Sequence, residues 1–479
     1  MIAGIVCFAL GKHPRKAEAV ALAGALLTVL LTLYSAVGFI SNGTPIHDQH
    51  GLFYLDAVSA LFTSLTALVA CLIVMYSIGY IRHEVKEGIV EERQLGSYYG
   101  LVSFFMSAML IATLAANPIV MWAAIEATTL ASVFLISFYN TSSSIEAAWK
   151  FFIINSVGIL LALVGILFLL FAILPPNSVS SGDWSSLIAI KSGANMLFLK
   201  IAFAFILVGF GTKVGLVPLH VWLPDAHSQA PTPVSAILSG LLLNIAFYGI
   251  VRSYQVITPY EPIVSFASGL LIFFGLLSLA IGALRLYSQH NLKRMLAYSS
   301  VENMGIVVLA LGLGGPIGVA ASLFHMISHS LAKPLAFFAS GMVAFAFKTK
   351  EIPLIRGAAS VIPFVAIPFV FIAIGLAGSP PFGTYLSELG VLAAALSSGQ
   401  WLVAIIFIIF TAITFASLLY RTTLMCFGPK PDKTEAGTPS MYMLVPFAII
   451  LVITIILGIM PPQQMIQLLN MAVRAILGG

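Results

Sequence analysis

Charged residues and cysteine are both scarce in this sequence. Aspartate, glutamate, lysine and arginine make up 8% of its 479 residues, whereas hydrophobic residues make up 60%. Soluble globular domains carry roughly 25% charged residues, so the composition excludes an ordinary soluble domain. The mean hydropathy of +1.06 points in the same direction.

Motifs for cofactors and for nucleophilic catalysis are also missing. The three cysteines, Cys7, Cys71 and Cys426, are scattered and form no C-x-x-C pair, so we predict neither an iron–sulfur cluster nor a zinc site. The sequence contains no glycine-rich phosphate loop, nucleophile triad or flavin motif. We therefore predict no cofactor and no metal in this chain. We also predict no catalytic redox site in this chain. The net charge of +5 does not indicate nucleic acid, because the basic residues lie mainly between apolar stretches.

Long apolar stretches are present instead, and about 20 apolar residues in a helix suffice to cross a bilayer. A segment that crosses lipid must have its backbone hydrogen bonds satisfied within the protein, as in a helix or a closed barrel. Because the sequence shows no strand pattern, we expect these segments to be helices. We predict an all-α polytopic membrane protein with about fourteen transmembrane helices. The strong spans are 18–40, 56–81, 98–115, 118–139, 147–173, 196–217, 232–256, 262–284, 294–313, 317–346, 361–397, 400–426 and 441–460. Residues 1–10 form a weak span that is too short to cross alone, and residues 462–478 form a short amphipathic helix or a frayed end.

The charges of the loops alternate between the two sides of the predicted membrane. One set of loops carries Lys12, Arg15 and Lys16; Arg82, Lys86 and Arg93; Arg285, Lys293 and Arg294; Lys348, Lys350 and Arg356; and Arg421, Lys430 and Lys433. The opposite set carries little beyond Lys191 and Arg252. The positive-inside rule makes the first set cytoplasmic in a cell-membrane protein. We then expect the C-terminus outside, and the N-terminus outside if residues 1–10 span.

A few ionisable residues interrupt the apolar spans, although each costs roughly 2.5–3.5 kcal/mol to insert at mid-bilayer. They are Glu126, Lys150, Lys213, Glu302, His325, His329, Lys333 and Glu388. Intervals of 24 and 63 residues separate Glu126, Lys150 and Lys213, and intervals of 23 and 63 separate Glu302, His325 and Glu388. The two triplets are offset by about five helices. Because five is odd, the pattern predicts two repeats of opposite orientation, as in secondary transporters.

Prolines mark one broken helix in each repeat. Pro218, Pro224, Pro231 and Pro233 follow Lys213, and Pro380 and Pro381 precede Glu388. Proline removes a helical hydrogen bond, and such breaks occur at membrane depth only beside protein or a water-filled cavity. We predict four regions: N-terminal helices in 1–97, a first repeat in 98–257, a second repeat in 258–428, and a last helix with its tail in 429–479.

A long motif at the first break resembles a known family. Residues 210–231, FGTKVGLVPLHVWLPDAHSQAP, are similar to the signature of the antiporter-like subunits of respiratory complex I. The same family includes large subunits of Mrp-type sodium/proton antiporters and membrane subunits of energy-converting hydrogenases and formate hydrogenlyases. The resemblance extends over residues 52–460. It implies fourteen helices in two inverted five-helix repeats, each with a broken helix.

The resemblance implies ion-translocating roles for individual residues. Glu126 in AAIEA matches the glutamate of the fifth helix, Lys213 the lysine of the broken seventh, and Glu388 in GSPPFGTYLSE the charged residue of the broken twelfth. His325, His329 and Lys333 resemble the polar eleventh helix. Two positions depart from the pattern: Asn244 stands where the eighth helix usually has lysine or histidine, and Glu302 stands where complex I relatives often have serine or histidine. The pairing of Glu302 with Asn303 is more similar to the hydrogenase branch.

We expect these residues to load and pass protons. Burial disfavours the charged form of both lysine and glutamate, so Lys213 would exchange a proton under the control of Glu126. His325, His329 and Lys333 stand at i, i+4 and i+8 and would line one helix face. Glu388 would be the terminal acceptor, with Glu302 as its repeat partner.

Purely structural roles also remain open for several of these residues. Lys213, Glu388 and Glu126 would also serve as structural ion pairs, His325 and His329 as interhelical hydrogen-bond partners, and Lys150 as a side chain that extends to the surface. His220, Asp225 and His227 are expected to brace the first break rather than bind metal.

Three functions are compatible with the sequence. The first is a proton-translocating, or sodium-translocating, subunit of a multi-subunit respiratory complex such as a membrane-bound hydrogenase or sulfur reductase. The second is a subunit of an Mrp-type antiporter without a redox partner, and the third is a structural membrane subunit with impaired transport, which Asn244 keeps open. The expected partners are other membrane subunits, protons or sodium ions, and lipid, with no nucleic acid.

Overall fold

The structure, a computed structural model, describes residues 1–11, 13–174, 182–429 and 439–478, and these are mostly helical. The helices up to the first break are α1 (Ile2–Ala9), α2 (Pro14–Asn42), α3 (Ala57–Lys86), α4 (Leu95–Leu114), α5 (Pro118–Ile136), α6 (Ser142–Ile173), α7 (Trp184–Ala189) and α8 (Met196–Val214). They continue with α9 (Trp222–Gln229), α10 (Thr232–Ile237), α11 (Leu243–Ile257), α12 (Glu261–Tyr287), α13 (Leu292–Leu313) and α14 (Gly315–Phe347). The last are α15 (Ala358–Val361), α16 (Pro363–Leu376), α17 (Gly383–Ser397), α18 (Trp401–Phe427), α19 (Met441–Ile459) and α20 (Gln463–Leu477).

Short irregular elements connect these helices. Single 3₁₀ turns cover Glu92–Gln94, Leu219–Val221 and Ile352–Leu354, and a π-helical turn, Leu238–Leu242, joins α10 to α11. Two short strands, β1 (Ile46–His47) and β2 (Tyr54–Leu55), pair antiparallel with Ile46 opposite Leu55. Polar caps fix several helix starts: Asp56 and Ser59 cap α3 reciprocally, and Asn117 caps α5 ahead of Pro118.

Twelve helical segments in the described residues are long and apolar enough to cross a membrane, which confirms the all-α polytopic prediction. The shorter apolar helix α16 pairs with α17 along the predicted 361–397 span. The count of about fourteen stays a prediction, because α1 has only eight residues and the 361–397 span is divided into two helices. The segment α10–α11 and helices α13 and α14 lie at the centre of the bundle, whereas α2, α12, α18 and α19 face outward.

Each predicted repeat contains five helical segments, one of them broken. In the first repeat α8 ends at Val214, Gly215 adopts a φ of +84°, and the chain becomes helical again in the turn Leu219–Val221. In the second repeat α16 ends at Leu376 and α17 begins at Gly383. The breaks therefore fall after Lys213 and before Glu388, where the prolines predicted them.

The basic loops meet at one end of the bundle, which we call the basic end. Arg421 donates to the carbonyl of Tyr287, the backbone of Ile352 donates to the carbonyl of His290, and Arg82 binds Glu18. The 139–146 and 218–231 connections reach the same end, since Asp225 binds both Lys150 and Arg294. Three of the loop lysines, Lys12, Lys430 and Lys433, lie outside the described residues.

Two basic residues that the sequence places in loops are instead buried. Lys293 is 2% exposed and Arg252 is 0% exposed. Arg252 forms a two-pronged ion pair with Asp56, with both N–O distances at 2.7 Å, at the end of the bundle opposite the basic loops. Neither residue is therefore a free loop charge of the kind that the positive-inside rule counts.

The sequence left open whether residues 1–10 cross the membrane and whether residues 462–478 form a helix, and the structure answers both questions. Helix α1 is about 12 Å long at 1.5 Å per residue, and the Met1 ammonium donates to Ser107 within the membrane-crossing helix α4. Residues 1–10 therefore do not cross the bundle. Helix α20 is a well-formed amphipathic helix rather than a frayed end, and it buries Leu468, Leu469, Ala472, Val473 and Ile476.

Candidate functional site

Lys213 is held in the first repeat by oxygen atoms of α5. Its side chain is buried in the last turn of α8, and Nζ donates to the carbonyl of Ile125 at 2.5 Å and to the hydroxyl of Thr129 at 2.6 Å. Thr129 in turn donates to Oε2 of Glu126 at 2.8 Å. Lys213 and Glu126 form no direct ion pair among the described residues, so Thr129 links the expected acid–base pair.

Asn244 on α11 is hydrogen-bonded to α14. Its amide donates to the carbonyl of Gly240 and to the hydroxyl of Ser330, both at 2.6 Å, while its buried Oδ1 has no partner among the described residues. The π-helical turn just before Asn244 shifts the register of the backbone, a feature that is frequent at functional sites. The departure from the family pattern therefore occupies a polar, hydrogen-bonded position. No side-chain hydrogen bond joins it to Lys213 in the described chain.

The three basic residues of α14 are fully buried along the helix. Lys333 donates to the carbonyl of Leu296 at 3.1 Å and makes a short hydrogen bond to the hydroxyl of Ser299, both on α13. His329 has no hydrogen-bond partner for either ring nitrogen within the part of the chain that the structure describes. Buried polar atoms without a protein partner are positions at which ordered water binds.

His325 joins α14 to α13 and α17 through short polar links. Its Nδ1 lies 2.9 Å from the hydroxyl of Ser387, and its Nε2 lies 3.2 Å from Oδ1 of Asn303. The amide of Asn303 donates to Oε2 of Glu302 at 2.5 Å. Ser387 precedes Glu388 on α17. A histidine flanked in this way can take a proton on one nitrogen and release one from the other.

Glu388 lies against the break in its own broken helix. Its carboxylate packs on Gly378, where φ is +72° and the absence of a side chain leaves the space that the carboxylate occupies. Glycine adopts this left-handed conformation without steric cost. The helix break therefore provides the space that the Glu388 carboxylate occupies.

Lys150 lies apart from this row. Its side chain is 48% exposed and binds Glu146 at 2.7 Å and Asp225 at 3.2 Å at the basic end. Its repeat counterpart by spacing, His325, is instead buried at the centre. The matching spacing therefore places Lys150 and His325 on corresponding helices of the two repeats, α6 and α14, but in different environments. Asp225 braces the first break, as expected, through its contacts with Lys150 and Arg294.

Small polar residues connect the site, and the sequence analysis did not single them out. Thr129 stands three residues after Glu126, which is the spacing that places two side chains on one helix face. Ser299 stands three residues before Glu302, and Ser387 next to Glu388. A search for Ser, Thr or Asn within one turn of each buried charge would have found them.

The arrangement brings together side chains that can gain and lose protons. No group of three or more His, Cys, Asp or Glu side chains that could hold a metal ion is found in the described residues. Thr129 links Lys213 to Glu126, and Asn303 links His325 to Glu302. We define the buried row as the partly buried Glu126 and Glu388 together with the buried residues Thr129, Lys213, Asn244, Lys333, His329, His325, Asn303, Glu302 and Ser387.

Comparison with known families matches most of the chain. Residues 115–414 match the family model described as "NADH:quinone oxidoreductase/Mrp antiporter, TM". Residues 50–88 match the one described as "NADH-Ubiquinone oxidoreductase (complex I), chain 5 N-terminus". The matched residues contain the whole buried row.

Two curated relatives illustrate the range of similar proteins. A hydrogenase-4 component F homolog of Methylacidiphilum infernorum (isolate V4) is 36% identical over 420 residues, which are 86% of this chain and 87% of the relative. The Na(+)/H(+) antiporter subunit A1 of Staphylococcus aureus (strain JH9) is 30% identical over 472 residues, which are 91% of this chain. The chain spans only 56% of the length of that antiporter subunit.

Solved structures share the fold at low sequence identity. A chain of the membrane-bound sulfane sulfur reductase, an archaeal respiratory complex, superposes with a TM-score of 0.86 at 22% identity and covers 99% of this chain and 96% of its own. A chain of the Mrp complex from Dietzia sp. DQ12-45-1b gives 0.86 at 21% identity with the same coverage. A chain of respiratory complex I from Thermus thermophilus gives 0.77 at 24% identity and covers 97% of each.

Proposed function

Because the chain belongs to the family of NADH:quinone oxidoreductase and Mrp antiporter transmembrane subunits, we propose that it translocates protons along the buried row. The observation that carries this proposal is that Lys213, His325, His329, Lys333 and Glu302 are buried within the bundle while Glu126 and Glu388 are partly buried. Hydroxyl and amide groups link Glu126 to Lys213 and His325 to Glu302. Ionisable residues inside a membrane bundle are expensive and mark ion pathways by default. The chain is a multi-pass membrane protein, and we place it in the cell membrane.

The row divides into a switch and a relay in this proposal. Lys213 is the switch, because Thr129 transmits the charge state of Glu126 to it through two hydrogen bonds. Lys333, His329 and His325 form the relay along α14, and Glu302 and Glu388 receive the proton. Asn244 cannot hold a proton, so transfer past it proceeds through water at its unpartnered oxygen.

We assign the chain to a multi-subunit respiratory complex related to complex I, in which other subunits carry the electron transfer. The similarity to a hydrogenase-4 component F homolog over most of both chains supports a hydrogenase-type or sulfur-reductase-type setting. Other membrane subunits, lipid and protons are then its partners. The four regions 1–97, 98–257, 258–428 and 429–479 are its N-terminal helices, its two inverted repeats and its C-terminal part.

A second candidate is a subunit of an Mrp-type sodium/proton antiporter without a redox partner, and its similarity to antiporter subunit A1 favours it. Sodium dependence separates the two candidates. Proton uptake by membrane vesicles that is driven by electron donors and is independent of sodium supports the respiratory setting, whereas sodium-coupled proton flux without an electron donor supports the antiporter.

We further propose that the basic end faces the cytoplasm, as the positive-inside rule indicates. Helix α20 then lies on the outside, because Ala475 and Ile476 accept hydrogen bonds from Gln255 and Thr258 at the opposite end. Accessibility of single cysteines introduced in the 288–290 loop and in α20 to an impermeant thiol reagent tests this orientation.

Replacing Lys213 by alanine tests the central proposal. Lys213→Ala removes the switch, and we expect proton flux in membranes that contain the intact complex to fall by about tenfold or more. Lys200→Ala is the matched control, because Lys200 is an exposed lysine on the same helix α8 and should be replaceable without effect. If the Lys213→Ala complex assembles fully and pumps normally, the central proposal is wrong. The third function, a structural membrane subunit with impaired transport, would then be favoured.

A further inference from the structure

A second group of buried ionisable side chains lies between the buried row and the basic end. We call it the Glu84 cluster, and it consists of Glu84, Tyr139, Lys293, His227 and Lys350. These residues come from α3, the turn after α5, α13, α9 and the loop after α14. The proposed function does not use any of them.

Glu84 is a buried carboxylate that forms no ion pair with a cation in the part of the chain that the structure describes. It stands in the last turn of α3 and is 3% exposed. Its Oε1 accepts a hydrogen bond from the hydroxyl of Tyr139 at 2.5 Å, whereas its Oε2 has no partner among the described residues. A buried carboxylate oxygen of this kind is stable only with a proton or a water molecule.

Lys293 continues from Glu84 toward the row. Its Nζ is buried and donates to the carbonyl of Ala230 at 2.7 Å, and Glu84 and Lys350 act on it electrostatically. Leu296 and Ser299, which hold Lys333, follow on the same helix. Along the axis Lys293 lies only about 9 Å from Ser299, at 1.5 Å per residue.

His227 packs against α14 one turn from Lys333. Its ring stacks on Phe337, with centroids 5.2 Å apart, and Phe337 stands one turn after Lys333 on α14. Both of its ring nitrogens are buried without a hydrogen-bond partner in the described residues. Lys333 and Lys293 are the charged groups that act on the ring. The ring is therefore one turn of α14 from Lys333 and within electrostatic range of Lys293.

Lys350 connects the cluster to solvent at the basic end. It is partly exposed, lies in the loop after α14, and its Nζ is 3.5 Å from the carbonyl of Ser228. Burial lowers the pKa of the Lys350 ammonium, although the charge of Glu84 opposes that shift. The cluster thus extends from solvent-accessible loops to the middle of α14.

The other buried acids near the bundle ends are fully paired, which sets Glu84 apart. Glu18 binds Arg82 through both carboxylate oxygens, and Asp56 binds Arg252 in the same way. Buried carboxylates with a structural role are stabilised in this manner. Glu84 forms no ion pair with any residue that the structure describes, so structural pairing does not explain it.

We propose that the Glu84 cluster is the proton-uptake path from the basic end to Lys333, with Glu84 as the first acceptor. This inference rests on the proposed function. A proton from bulk water binds the Glu84 carboxylate, passes through water to the neutral amine of Lys293, and moves by way of the His227 ring to the neutral amine of Lys333. Glu84 is left as a carboxylate, and each carrier returns to its starting form, so one proton is transferred in each cycle.

Removal of the Glu84 carboxylate tests the path in membrane vesicles that hold the intact complex. Glu84→Gln should lower proton flux by about tenfold or more while the complex stays assembled, and Glu84→Asp should retain part of the flux. Glu18→Gln is the matched control, because Glu18 is an equally buried acid of α2 at the same end but is paired with Arg82. Equal flux in the Glu84→Gln and control vesicles would overturn the inference.

A rescue experiment separates proton uptake from a structural role. Glu84→Ala vesicles are given formate, a small weak acid, and restored flux supports a proton-accepting function at this position. Loss of flux that formate does not restore, together with an equal loss in Glu84→Asp, would assign Glu84 a structural role and overturn the inference.

Lys213→Ala in the same assay distinguishes the two proposals. If Lys213→Ala abolishes flux and Glu84→Gln does not, the uptake path is wrong but the proposed function stands. If neither variant reduces flux, the proposed function fails with it.

Discussion

Buried charged residues in this protein have two kinds of hydrogen-bond partner: an oppositely charged side chain, or neutral hydroxyl and carbonyl oxygens. Asp56 and Arg252 neutralise each other through two short hydrogen bonds. Lys213 and Lys333 are instead surrounded by hydroxyl and carbonyl oxygens. An ammonium group held only by neutral oxygens loses less on giving up its proton than one held by a carboxylate. The partners of each residue therefore separate the structural charges from those suited to transfer.

Thr129 is the residue at which this interpretation is most easily tested. Thr129→Val keeps the shape of the side chain but removes the hydroxyl that joins Lys213 to Glu126. A hydrogen bond to a charged group contributes about 1.5–3 kcal/mol, so we expect proton flux to fall by about tenfold or more.

Ser132 on the same helix provides the control for this experiment. It is buried three residues after Thr129, but its hydroxyl donates only to the carbonyls of Thr128 and Thr129 within its own helix. Ser132→Ala should leave flux within about twofold of the parent. Equal effects of the two substitutions on flux would show that Thr129 does not link the pair.

At the scale of elements, the two helix breaks have different relations to their charges. The first break follows Lys213, so the lysine stands in the last turn of α8 near the free carbonyls of that helix. Cations are favoured at this end of a helix. The second break precedes Glu388, whose carboxylate folds back onto Gly378. The inverted repeats thus place a base at one break and an acid at the other.

Gly378→Ala should displace the Glu388 carboxylate, because the new Cβ would overlap it. We expect a loss of proton flux of about tenfold or more if Glu388 is the terminal acceptor. Flux in assembled complex is the measurement.

The strain of a left-handed alanine is controlled separately. Gly399 has nearly the same φ, +71° against +72°, and nothing lies within 4 Å of its Cβ position. Gly399→Ala therefore introduces similar backbone strain without touching Glu388, and it should preserve flux. If both alanines reduce flux equally, strain rather than contact with Glu388 is responsible.

At the scale of the whole molecule, long-range polar contacts fix the end of the bundle opposite the basic loops. The Asp56–Arg252 pair joins the start of α3 to α11, and Tyr248 donates to the carbonyl of Thr113 at the end of α4. Gln255 and Thr258 hold α20 against the same region. Helices that are equally apolar toward lipid and toward each other gain little from the hydrophobic effect on association, so these contacts contribute specificity to the assembly.

Arg252→Ala should be strongly destabilising, because it leaves the buried Asp56 carboxylate unpaired. Removing one partner of a buried pair costs about 3–5 kcal/mol, which a lowered thermal midpoint of the purified complex would reveal. Arg93→Ala is the control, since the Arg93–Glu91 pair is 82% and 63% exposed and such pairs contribute at most about 1 kcal/mol. Similar midpoints for the two variants would contradict this account.

The sequence alone determined the class of fold, the broken helices and most of the charged residues of the row. These follow from local properties: the length of each apolar stretch, the effect of proline on a helix, and the cost of a charge at mid-bilayer. The motif around Lys213 added the family and hence the expected arrangement in two repeats. The sequence is therefore sufficient to name Glu126, Lys213, His325, Lys333 and Glu388 as members of the row.

Only the tertiary structure decided which way each side chain faces and what it touches. In a membrane bundle both lipid and protein interior are apolar, so hydropathy does not reveal the rotation of a helix. For this reason Lys150 lies at the surface although its spacing places it in the row, and Lys293 and Glu84 lie inside although they stand near helix ends. Their partners are far away in the chain: Tyr139 meets Glu84 across 55 residues, and Ala230 meets Lys293 across 63.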